Sequence, residues 1–146
     1  MNKYIINEST LVLFSLGNRT QVYEKYTNYI IDQSIMSIID NSCKYYGSSF
    51  KGRCDATDYL IGIRYKCPII ISEKKCLIFF PTSSPRYDEC VWINYKAIKK
   101  YYLNEQNELI IILNNDKKLI LNISSNIMTN QILKSSRLES IFLNNR

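Results

Sequence analysis

Residues 43–54 read CKYYGSSFKGRC, and the fold class turns on how this stretch divides. Upstream of it, Ile35, Ile38, Ile39, Cys43 and Tyr46 recur at intervals of three and four, which places them on one face of a helix. Ser34 supplies the side-chain acceptor of an N-cap, and Gly47 the left-handed residue that follows a helix C-terminus. Ser48 or Ser49 then caps a second helix running through Phe50, Cys54, Thr57 and Ile61, weakened at Gly52. Divided this way, the stretch joins two helices.

Both flanks of that helical pair have β texture. Residues 4–6, 11–16 and 22–31 are β-prone runs broken by polar or glycine-containing stretches such as Gly17-Asn18, and they read as two or three antiparallel strands. Downstream, residues 69–71 and 77–80 read as a hairpin with loop 72–75, and Pro81 ends its second strand. Residues 82–86 read as a loop and 91–95 as a strand. Residues 109–113 and 118–123 pair around Asn114-Asn115-Asp116-Lys117, because Asn and Asp tolerate the left-handed turn conformation. Helical spacing returns at Met128, Ile132, Ser135, Leu138 and Phe142, capped by Ser124 or Ser125. The order strands, helices, strands, helix predicts an α+β fold with a mostly antiparallel sheet, a central helical pair and a C-terminal helix. With 146 residues, 46% of them hydrophobic, and only four Gly and three Pro, the chain suits a single domain over residues 1–146.

Composition narrows the chemistry. Histidine is absent, which removes the most frequent general base and the commonest nitrogen ligand for metals, so no catalytic residue, cofactor or metal site is assigned. Five cysteines at 43, 54, 67, 76 and 90 contain no C-x-x-C pair, arguing against a disulfide framework and a zinc site and for reduced, mostly buried thiols. The apolar run at residues 11–14 is far shorter than a bilayer span and has no cleavage pattern after it, so the expectation is a cytoplasmic protein with no membrane partner. Net charge is +6 and unevenly placed: residues 44–100 carry eleven Lys and Arg against five acids. Segregated positive charge points to a polyanionic partner, although a solvated basic face has the same composition.

Gly47 and Gly52 have the glycine spacing of a phosphate-binding P-loop. That motif needs a preceding strand, a Lys after the second Gly and a Ser or Thr for magnesium; here a helix precedes, Arg53 replaces the Lys and Cys54 is a poor ligand for a hard cation. A nucleic-acid phosphate asks less of the same residues. The free amides at the start of the second helix, the hydroxyls of Ser48 and Ser49, and Lys51 and Arg53 in its first turn would form an anion site, with Lys44 nearby. A tight corner with its basic residues in water explains them as well, and the local residues leave both readings open. Loop 82–86, with Ser84 and Arg86, is a second candidate clamp, or an ordinary connection. Trp92, with Tyr45, Tyr46, Tyr87 and Tyr95 near the basic region, has the type needed to stack on bases, yet Val91-Trp92-Ile93 reads as core. Asp88 and Glu89 are neighbours on extended chain, point apart, and read as solvated charges.

The central run can be read whole: D-N-S-C-K-Y-Y-G-S-S-F-K-G-R at residues 40–53, P-I-I-I at 68–71, F-F-P-T at 79–82 with Ser84, and C-V-W-I at 90–93. It resembles the ComK family, the competence transcription factors of Gram-positive bacteria, well over residues 40–95, in pattern over 96–143, and only in β texture before that. The resemblance implies a nucleoid-associated transcriptional activator that binds A·T-rich double-stranded DNA largely through the minor groove, as a homo-oligomer, under the control of a proteolytic adaptor. Narrow A-tract grooves reward inserted Arg or Lys, so the implied contacts are Arg53 and Arg86, supported by Lys44, Lys51, Ser48, Ser49 and Ser84. The sequence departs from the pattern twice. Familiar members continue past the point matching Arg146, which separates DNA binding from activation and assembly, and Asp55 sets an acid beside the basic corner. The alternative is a protein-interaction module of the same fold without transcriptional output.

Overall fold

The computed structural model describes residues 3–144, so Arg146, where the family pattern runs on, lies outside the described residues. Among the described residues nine strands and three α-helices follow in chain order: β1 Thr10–Leu16, β2 Arg19–Glu24, β3 Asn28–Ile31, α1 Ile35–Tyr45, α2 Phe50–Ile61, β4 Ile69–Ser72, β5 Leu77–Pro81, β6 Val91–Asn94, β7 Ile98–Leu103, β8 Leu109–Leu113, β9 Lys118–Leu121 and α3 Ser125–Asn144. The strands form a six-stranded sheet in the order β3-β2-β1-β6-β5-β4 and a three-stranded sheet β7-β8-β9, and the paired strands run antiparallel throughout. The α+β class and the central helical pair are as expected.

Alternation along the strands makes the six-stranded sheet the middle layer. Leu13, Phe79 and Trp92 point to one face, where they pack with Ile35, Ile38, Ile39 and Cys43 of α1. Val12, Phe80 and Ile93 point to the other, against Leu109, Ile111 and Leu113 of β8 and Met128 of α3. Leu11 joins Val12 on the same side despite being its neighbour, because a bulge interrupts β1 between Thr10 and Val12. A smaller cluster, Ile61, Ile70, Ile78 and Leu138, locks the end of α2 to α3 over the β4 edge.

Two local expectations change. Residues 4–6 are not a strand, although Ile6 is fully buried and its N–H donates to Ser42 Oγ. Strand β7 is absent from the sequence reading because Lys99, Lys100, Tyr102 and Leu103 are exposed on this edge strand and leave no clean two-residue alternation.

Candidate nucleic-acid interface

At the helix corner, Ser34 caps α1 by accepting from Ser37 N, and Ser49 caps α2 by accepting from Gly52 N. Gly47 has φ +102°, a value that a side chain makes costly, and it turns the chain between the helices. A Cβ on Gly52 would stand 2.6 Å from Ser48 Oγ, so both glycines serve the turn itself.

The anion site expected at the start of α2 is already filled by the protein's own carboxylate. Asp40 Oδ1 accepts from Phe50 N at 2.9 Å, and Asp40 also pairs with Lys44 at 2.9 Å. The bond from the Phe50 amide, followed by that from Lys44, holds the Asp40 carboxyl below its ordinary value of 3.8. Lys51 pairs with Asp55 one turn on, at 3.0 Å. Lys44 and Lys51 stay exposed, but each is neutralised within its own helix.

Arg53 requires a correction. Instead of facing a groove or a phosphate, its side chain is only 7% exposed; NH1 donates to Glu73 at 2.9 Å and NH2 to the Tyr46 carbonyl at 3.3 Å. The cause is its place on α2: position 53 lies on the inner face with Thr57 and Ile61, all three buried. The guanidinium thus ties the end of α1 to the turn between β4 and β5.

The second loop is built differently. Thr82 closes it, donating its N–H to the Val91 carbonyl and accepting from Val91 N at its hydroxyl. Arg86 is exposed and lies over the Tyr87 ring, 5.2 Å from its centroid. Asp88 and Glu89 are exposed in a turn of this loop rather than on a strand. Ser83, Ser84 and Tyr87 line a recess of about 560 Å³ together with Lys66, and Glu89 is on the same wall. The opposite wall is the start of α3, where Ser124 Oγ accepts from Ile127 N and both residues face the recess. Ser83 Oγ is buried there without a hydrogen-bond partner.

Lys66 is held in place from below: its carbonyl accepts from Gln131 Nε2 of α3 at 2.8 Å, and that same amide reaches the Pro81 carbonyl. Lys134 follows on α3; burial first, and the nearby Lys66 charge second, push its ammonium below its ordinary pKa. Among the described residues, Lys66, Arg86 and Lys134 have no ion-pair partner. In the sequence Lys66 is one cation of the basic excess with nothing to single it out, and Lys134 and the α3 start, legible as a helix and its cap, carry no sign of a binding role, because no spacing links residues 66, 82–87 and 124–134.

Trp92 is fully buried, edge-on to Phe50 at 6.1 Å, and belongs to the core. Among the described residues no group of three or more Cys, Asp or Glu side chains is placed to hold a metal ion, and no helix is long and apolar enough to cross a membrane.

Compared with known proteins, the chain is 28% identical over 123 residues to the competence transcription factor of Bacillus subtilis (strain 168), a match covering 84% of this chain and 64% of that protein. The chain therefore spans less than two thirds of that relative's length. No solved structure matches. The family model described as ComK protein matches residues 1–146, and the chain belongs to the ComK family.

Proposed function

We propose that this protein is a DNA-binding transcriptional regulator of competence genes, without catalytic activity, that engages A·T-rich duplex DNA. The observation that carries the reading is the pairing of its cations. At the helix corner Lys44, Lys51 and Arg53 each have a carboxylate partner. Lys66, by contrast, lines a hydroxyl-rich recess at a helix start, with Lys134 near it and Arg86 in the loop of the recess wall, and among the described residues none of the three has an ion-pair partner. Lys66 and Lys134, close enough to repel each other, favour an anionic ligand despite Glu89 in the recess wall, and a helix N-terminus adds its partial positive charge. Membership of the ComK family and the function named in the Bacillus relative support the same class.

The proposed contacts keep Ser84 and Arg86 and add Lys66, Ser83, Ser124 and Lys134. Lys44 and Lys51 serve as outlying phosphate contacts, since exposed ion pairs contribute little and exchange readily. Ser48 and Ser49 shape the corner rather than meet DNA. Arg86, exposed beside Tyr87, is the side chain suited to a narrow minor groove. Homo-oligomer formation, nucleoid association and recognition by a proteolytic adaptor belong to the same proposal and rest on family membership.

The test is equilibrium binding to an A·T-rich duplex and a G·C-rich duplex of equal length over a series of salt concentrations. Regulation predicts preference for the A·T-rich duplex and a log-log salt slope of several units. Arg86→Ala and Lys66→Ala should each weaken binding about tenfold and lower the slope by about one unit. A protein-interaction module would show almost no salt-dependent binding to either duplex. Unchanged affinity in both variants would move the contact surface elsewhere.

A further inference from the structure

Cys54 of α2 and Cys67, in the irregular segment before β4, place their sulfurs 3.3 Å apart, with both thiols free. They are thirteen positions apart in the chain and share no sequence motif. Cys54 is partly exposed, Cys67 is 6% exposed, and the pair lies at the margin of the helix-side core. The segment carrying Cys67 has no regular structure from residue 62 to 68, and Lys66 within it has φ +47°. No ladder bonds fix this segment, although side chains hold the carbonyls on both sides of Cys67, that of Lys66 by Gln131 and that of Pro68 by Thr57; the sulfurs need an approach of roughly 1 Å to reach the ~2.05 Å of a disulfide.

We infer that Cys54 and Cys67 are a reversible oxidation site that a hydroperoxide converts to an intrachain disulfide. One sulfur, as thiolate, attacks the O–O bond of the peroxide and becomes a sulfenic acid, releasing water once a proton is taken up. The other thiol then attacks that sulfenic sulfur, forming the S–S bond and releasing a second water. Two thiols thus lose two electrons and two protons to one hydrogen peroxide, which leaves as two waters.

The electrostatics single out Cys67 within the pair, since the hydrogen bond with Cys67, then burial, pushes the Cys54 thiol up. The hydrogen bond with Cys54 lowers the Cys67 thiol below its ordinary value, and the Lys134 charge adds to the effect against the opposing cost of burial, so Cys67 gives up its proton more readily than its neighbour. Burial pushes the Cys43 thiol up to about 11 and raises that of Cys90, leaving both as poor nucleophiles. Cys67 also adjoins Lys66, so the bond would tether to α2 the segment whose lysine lines the recess. Formation of the bond does not depend on the nucleic-acid reading.

The experiment treats the reduced, folded full chain with one equivalent of hydrogen peroxide, blocks the remaining thiols in denaturant, and maps tryptic peptides by mass spectrometry. Cleavage after Arg53, Arg64, Lys66 and Lys74 gives each cysteine of the pair its own peptide, 54–64 and 67–74. The expected result is loss of two of the five thiols and one cross-linked species joining those two peptides, reversed by dithiothreitol. Cys54→Ser and Cys67→Ser should each abolish that species. Cross-links spread over other pairs, as in a chain oxidised while unfolded, would overturn the inference, as would oxidation of Cys54 or Cys67 that stops at the sulfenic or sulfinic acid.

Discussion

Arg53 shows how far one side chain's chemistry depends on its surroundings. As a residue type it is the best phosphate fork in the protein, and it stands in a basic stretch. Folded, it donates to Glu73 and to the carbonyl that ends α1, and its buried Nε has no partner. Its removal leaves the Tyr46 carbonyl and Glu73 without their donors. Arg53→Ala should therefore destabilise the fold by about 1–3 kcal/mol, read as a lower urea midpoint. Duplex binding by the fraction still folded should be unchanged; a loss of affinity at full stability would return Arg53 to the interface. The same reasoning applies to the glycines that imitate a P-loop: Gly47 is set by its positive φ and Gly52 by the nearness of Ser48 Oγ.

Among the elements, the α1–α2 corner is a self-contained electrostatic unit. Asp40 on α1 serves as the anion for the start of α2, so the helices are joined by a charge-assisted bond as well as by packing. Its folded pKa lies below the ordinary 3.8, so the contribution is fully present above about pH 4 and fades as pH falls through the lower folded value. Because the Asp40 side chain is 35% exposed, solvent screening keeps that contribution to roughly 0.5–1 kcal/mol. Asp40→Asn should lower the urea midpoint accordingly at neutral pH, and the gap from the wild type should close as pH falls from about 4 through the lower folded value. A gap constant across that range would mean that the amide bond, and not the charge, does the stabilising.

For the whole molecule, the six-stranded sheet is the shared wall of two cores. Trp92 faces the helical side while its neighbours Val91 and Ile93 face the second sheet, so neither core can dissolve without exposing the other's strands. The lone tryptophan is fully buried and should emit at short wavelength. Its red shift in urea should coincide with the loss of far-ultraviolet circular dichroism, as for one cooperative unit. Two separate transitions would divide the chain into more than one domain. The recess belongs to this scale as well, since its walls come from the segment before β4, the β5–β6 loop and the start of α3.

The amino-acid sequence by itself determined what depends on neighbours along the chain. Periodicity marks the three helices, Ser34 and Gly47 mark the ends of the first, Ser48 or Ser49 the start of the second, and the Asn-Asn-Asp-Lys turn marks one hairpin. The motif at residues 40–53 reveals the family, yet its Gly-Ser-Ser and Gly-Arg pieces are the stereochemistry of a corner. Only the tertiary structure decided how the cations are paired, because ion pairing depends on distance in space: Arg53 meets Glu73 twenty residues away, whereas Lys66, with Lys134 close by, lines its recess without a carboxylate partner among the described residues. It also decided that two cysteines thirteen residues apart would touch, since a helix and an irregular segment must fold back on each other before their sulfurs can meet.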